Sequence, residues 1–370
     1  MIRSGRLYRY IGQEYITAFI VSFIFFFFIF FVNQILVLAQ KILLKNVSIS
    51  QVLFLVVLSI PQFLLYTMPF SSLTAASMTI GNMSSQNEIL AARSSGLHPV
   101  RIFIPVLLIS LFFSAGTLVI ADKMIPYSAQ VYKDVYADIL QSLPTLELEP
   151  YSSTQFGRRV ITVGEIEGDR FRNILIYDDS DPSNRRILTA GSGSLSLIDL
   201  EKMTYKIDLD KAEFVSTDSS DLQSFSVAKA ENLVMNLSLM SDSSPFVTIT
   251  PSQMSLTQLA EEAEKTDVNL NNGSLFWHQY YVSEMHKKIA LSAACSLLVI
   301  VAFPISLFRV RNGRLIGFGL SMFIACIYWF FIYFMQVKAI SSESNAAIFV
   351  WIPNAVFFIA GTIMIRRMRK

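Results

Sequence analysis

The sequence predicts a membrane α-helical protein whose six transmembrane helices, split three and three, flank an inserted all-β domain. Three observations carry this reading. Of the 370 residues 53% are hydrophobic and only 16% charged, against roughly a quarter charged in an ordinary soluble chain. Six apolar runs are each long enough to cross the hydrocarbon core, which takes about 20 helical residues. All acidic residues except Glu14, Glu88 and Glu343 lie between Asp122 and Glu284. Such segregation marks a polar domain inserted in a membrane protein.

The expected spans are residues 15–39, 52–80, 102–125, 287–307, 315–337 and 346–365. The first, rich in Phe between Phe23 and Phe31, follows Arg3, Arg6 and Arg9 and is too long for a cleavable signal. Pro61 and Pro69 predict a bend or packing irregularity in the second. Arg93, Arg101, Arg309, Arg311, Arg314 and the terminal Arg366, Arg367, Arg369 and Lys370 share one side with the basic amino terminus. The opposite short loops hold only Lys41, Lys45 and Lys338. Basic loops stay cytoplasmic, so both termini are expected in the cytoplasm of a bacterial inner membrane, with residues 122–286 outside it in the periplasm.

That outer segment reads as β. Runs at 159–163, 174–177, 187–189, 194–198, 205–209 and 233–237 are rich in strand formers. Turn signals at Gly168-Asp169, Asp178 to Asn184 and Gly191-Ser192-Gly193 separate them. Short strands at this spacing suggest a sandwich or jelly roll rather than βαβ units. A helical stretch, Ser255 to Lys265, follows with Leu256 and Leu259 on one face. The expected domains are residues 1–125 with three spans, 126–275 with the periplasmic β-domain and linker, and 276–370 with the last three spans.

Between spans two and three, Ser85-x-x-Glu88 forms a capping box, and Gly96 before Pro99 suits a left-handed helix end. A short helix over about 84–95 is therefore expected on the cytoplasmic side. It is either a plain connector capped by Glu88 or a coupling helix that docks into another protein. Glu88 is the acidic residue of the cytoplasmic loops, which favours the second reading.

Other chemistry is weakly supported. There is no G-x-x-x-x-G-K-[ST] loop, so a nucleotide motor has to be a separate chain. No G-x-S-x-G elbow appears. Asp208-Leu209-Asp210 and the run from Asp178 to Asp181 fit strand edges and turns, and His98, His278 and His286 lack partners at ligand spacing, so no metal is expected.

The stretch from Asn87 to Gly96 resembles the E-(ILV)-x-x-x-(RQ)-(AS)-S-G segment of the LptF/LptG permease family. Tyr8-Arg9-Tyr10-Ile11 before span one, Arg311-x-Gly313-Arg314 before span five and Trp351-x-Pro353-Asn354 in span six are similar to that family, as is Ile187 to Ser196 to a strand pair in its periplasmic domain. The resemblance implies a heterodimer with a paralogous permease and a cytoplasmic ABC ATPase, LptB-like, that binds ATP and Mg; this chain itself needs no cofactor. It implies ATPase-coupling residues Glu88, Ile89, Leu90, Arg93 and Gly96. It also implies export of lipopolysaccharide or a related glycolipid to an LptC-like periplasmic bridge, with no nucleic acid partner.

Acyl chains would enter an apolar cavity formed by spans one and five of the partner subunits. Lipid phosphates could meet basic residues at the periplasmic rim, for which Lys41, Lys45, Lys123, Lys287 and Lys288 are the candidates. The same lysines could instead simply snorkel at helix ends. Rival readings are a lipoprotein-release type permease, a non-transporting envelope tether and a membrane enzyme.

Overall fold

The structure, a computed structural model, describes residues 4–38, 48–142, 150–156, 159–167, 170–179, 184–199, 204–218, 225–238, 249–266, 272–307, 313–342 and 345–367. The described helices are α1 (Ser4–Leu38), α2 (Ile49–Ser85), α3 (Glu88–Ser94), α4 (Pro99–Val119), α5 (Ile125–Ser142), α6 (Leu256–Lys265), α7 (Asn272–Ser306), α8 (Gly313–Ile340) and α9 (Ala346–Arg367). A π-helical turn, Ile120–Met124, joins α4 to α5.

Among the described residues, six segments are long and apolar enough to cross a membrane: Gly5–Leu36, Ile49–Ser85, Val100–Ile139, Ser274–Ser306, Gly313–Ile340 and Ala346–Arg367. Large apolar side chains point outward on them, with Phe112 75% and Phe330 69% exposed. Water would penalise such surfaces, whereas lipid tails match them. The protein is a multi-pass membrane protein. Its third and fourth spans run well past the apolar runs that announce them, and the helices continue as α5 and as the first half of α7.

Two compact units result. Met1–Asn33, Ser59–Ala129 and Thr250–Lys370 form a helical unit; Gln34–Leu58 and Gln130–Ile249 form the unit that holds the sheet.

In the helical unit, α2 continues through both Pro61 and Pro69 and carries a buried row of small polar residues, Ser71, Ser72, Thr74, Ser77 and Thr79. Two of these hydroxyls, on Ser72 and Thr74, bond to neighbouring helices. Ser72 Oγ donates to the Cys295 carbonyl at 2.7 Å and lies 2.7 Å from the Tyr15 hydroxyl. Ser321 Oγ donates to Thr74 Oγ1 at 3.0 Å. Small residues let membrane helices approach closely, and the extreme is Gly313, where a Cβ would lie 1.9 Å from the Gly81 carbonyl oxygen.

The sheet is built from β1 (Ser152–Phe156), β2 (Arg159–Val163), β3 (Ile166–Glu167), β4 (Arg170–Asp178), β5 (Asn184–Asp199), β6 (Thr204–Asp218) and β7 (Phe225–Ser238). Neighbours pair antiparallel in the order β1-β2-β4-β5-β6-β7, with β3 on β4. An inserted antiparallel β-domain therefore stands between the third and fourth spans.

Gly191-Ser192-Gly193 does not form the turn that its composition suggests; it lies inside the single strand β5. Two features of the sheet explain this. A Cβ at Gly193 would lie 2.6 Å from the ring of Phe171 on β4. Gly191 belongs to a row in which Asn173 and Lys211 both adopt left-handed backbone, φ 55 and 54. Across that row the burial alternation changes phase in step. Phe171 gives way to Ile174 and Ile176 on β4, and Tyr205, Ile207 and Leu209 give way to Ala212 on β6. One face thus stays apolar along strands too long for simple alternation.

Candidate functional site

The stretch from Asn87 to Pro99 folds as a short helix between two spans, with a different start from the one its capping pattern implies. Ser85 is still part of α2, and its hydroxyl donates to the Asn82 carbonyl at 2.8 Å instead of capping a new helix. Asn87 makes the break with left-handed backbone, φ 60, a conformation that Asn tolerates better than most residues. Glu88 therefore opens α3 without closing a capping box.

The far end matches expectation. Gly96 has φ 82, and the bonds Gly96 N to Arg93 O and Leu97 N to Ala92 O, both 3.0 Å, complete a Schellman termination. His98 then caps α4, its Nδ1 accepting from the Val100 amide at 3.2 Å.

On α3, Ile89 is buried and ties the helix to the core of the helical unit. Leu90 is 58% exposed, and Arg93 is exposed beside it. Glu88 is partly buried and accepts a hydrogen bond from the Tyr10 hydroxyl of α1 at 2.9 Å. One turn further along α1, Glu14 Oε1 accepts from Asn82 Nδ2 at 3.0 Å and from the Arg314 guanidinium at the start of α8. The sequence placed Glu88, offered Tyr10 and Arg314 only as positions similar to the family, and gave Glu14 and Asn82 no role. A signal existed, because Glu14 is one of three acidic residues outside the stretch from Asp122 to Glu284.

The five lysines separate. Lys41 and Lys45 lie outside the described residues. Lys123 is 73% exposed, 3.1 Å from Asp122. Lys287 and Lys288 sit midway along α7 and are buried, because the helix starts fifteen residues before the apolar run that suggested their position.

Lys287 Nζ pairs with Glu284 at 2.7 Å and donates to Gln336 Oε1 at 3.1 Å, above the ring of Tyr333. Gln336 Nε2 also donates to Glu284 at 2.6 Å. Lys288 donates to the carbonyls of Ala121, in the π-turn, and Met254. Asp122 accepts from the first amide of α6, Leu256 N, at 3.0 Å. Lys287 is thus paired with a carboxylate, Lys288 is held by two backbone carbonyls, and Asp122 pairs with Lys123.

Comparison with known proteins adds the family. The chain is 21% identical over 155 residues to an uncharacterised protein of Rickettsia prowazekii (strain Madrid E), a match over 41% of this chain and 43% of that relative. Residues 9–367, which take in the β-domain inserted after the third span, the short helix between the second and third and all but the first residues of the six spans, match the family model described as lipopolysaccharide export system permease LptF/LptG, and the chain belongs to that family.

Proposed function

We propose that this protein is the permease subunit of an ATP-driven exporter that extracts lipopolysaccharide, or a related envelope glycolipid, from the bacterial inner membrane. The observation that carries the reading is α3: a family-matched helix between two spans, anchored through Ile89 and Glu88, with Leu90 and Arg93 left open. Such a surface suits docking into a cytoplasmic ABC ATPase that binds ATP and Mg. A paralogous permease would complete the transport path, and the β-domain would face the periplasm and hand lipid to a jelly-roll bridge. Lys123 remains a candidate for contact with a lipid phosphate, with Asp122 as its competing partner.

The position of the β-domain after the third span favours this reading over a lipoprotein-release type permease, whose large outer domain follows the first. The test is co-expression with the ABC ATPase and paralogous permease of the same genome, with purification through a tag on this chain. The expected result is a three-component complex whose ATP hydrolysis falls several-fold in Glu88→Ala. A chain that elutes alone, with Glu88→Ala without effect, would move a tether or a membrane enzyme ahead.

A further inference from the structure

Glu14 lies on α1 directly before the apolar run 15–39, between the basic residues Arg6 and Arg9 and the first expected span. The partners of Glu14 come from two other helices, Asn82 on α2 and Arg314 on α8. Tyr10, at i−4 on the same face of α1, holds Glu88 of α3. The end of α1 therefore carries two adjacent polar contacts, one to the exposed short helix and one to the start of the fifth span.

Stability does not account for the second contact. Arg314 is 56% exposed, and ion pairs open to solvent add little to folding. Close packing already holds α8 against α2, where the Gly81 and Gly313 backbones meet. What the ion pair adds is a link between α1 and α8 that can open and reform without unpacking that contact.

We propose that Glu14 and Arg314 form a polar latch that passes a displacement of α3 to the first and fifth spans, with Glu14 and Tyr10 as positioning residues. This rests on the reading of α3 as a motor-docking helix. As α3 moves, Glu88 draws Tyr10 and the end of α1, and Glu14 carries the movement to Arg314. Breaking the latch then uncouples hydrolysis from lipid movement without abolishing either motor binding or folding.

The experiment uses the assembled complex in liposomes containing lipopolysaccharide, with ATP hydrolysed and lipid released measured together. Glu14→Gln and Arg314→Gln are expected to keep hydrolysis within about twofold and to lower lipid released per ATP at least fivefold. The exchange Glu14→Arg with Arg314→Glu is expected to recover most of that ratio. Release per ATP that stays at the wild-type value in the single variants would overturn the proposal, as would parallel loss of release, hydrolysis and thermal midpoint.

Hydrogen exchange of this chain alone in nanodiscs reads the latch without the motor. Glu14→Gln should speed exchange at the start of α8 and in α3, and unchanged exchange there would overturn the latch itself. A wild-type complex that releases no lipid with ATP, while exchange responds to Glu14→Gln, would instead sink the exporter reading and leave the latch in place.

Discussion

Glu284 and Lys287 meet at 2.7 Å inside α7, with less than a tenth of either side chain exposed. Removing one member of a buried pair strands the other charge, at a cost of about 3–5 kcal/mol. Glu284→Ala should therefore lower the thermal midpoint of the detergent-solubilised chain substantially. Lys123→Ala, at an exposed side chain, should stay within about 0.5 kcal/mol of wild type. Equal shifts in the two variants would contradict an internal role for the α7 charges. The contrast between these lysines was not legible from their neighbours in sequence. Lys287 and Lys288 follow a polar stretch, Tyr280 to His286, that reads as an interface. What buries them is partners distant in the chain, Gln336, Ala121 and Met254.

The packing of α2 against α8 turns on glycine. Gly313 and Gly317 face α2 at backbone contact, whereas Gly319 on the same helix has nothing within 4 Å of a built Cβ. Gly313→Val is expected to destabilise the helical unit by about 1–3 kcal/mol through overpacking, and Gly319→Ala to be neutral or slightly stabilising. Urea or thermal unfolding of the purified chain checks both, and a neutral Gly313→Val would mean that the two helices separate at no cost. The sheet shows a comparable limit of local reading. Strand formers were visible on both sides of Gly191-Ser192-Gly193, but joining them into β5 required Phe171 on β4 and the paired left-handed residues Asn173 and Lys211. Turn chemistry and a coherent defect across long strands use the same residue types.

Orientation belongs to the whole molecule. The distribution of Lys and Arg predicts that α3 and the β-domain lie on opposite sides of the membrane. In a Cys326→Ser background, which leaves only the buried Cys295, Ser196→Cys on β5 and Ser94→Cys on α3 provide exposed reporters. An impermeant maleimide added to spheroplasts should label Ser196→Cys and spare Ser94→Cys, with the reverse in inverted vesicles. Labelling of Ser94→Cys from outside would reverse the topology and remove any cytoplasmic motor from α3.

The sequence by itself determined the six spans, the inserted β-domain and the short helix at Glu88, because hydrophobic length, strand composition and a glycine stop are local properties. Its capping box at Ser85 failed because α2 runs on through that residue, and helix continuation is decided by packing as much as by propensity. Only the tertiary structure decided which charges are free. Glu14 takes its partners from α2 and α8, and Lys288 from the π-turn and the turn before α6. A charge in a membrane protein is read by the groups that desolvate and pair it, and here those groups lie as far as 300 residues away in the chain.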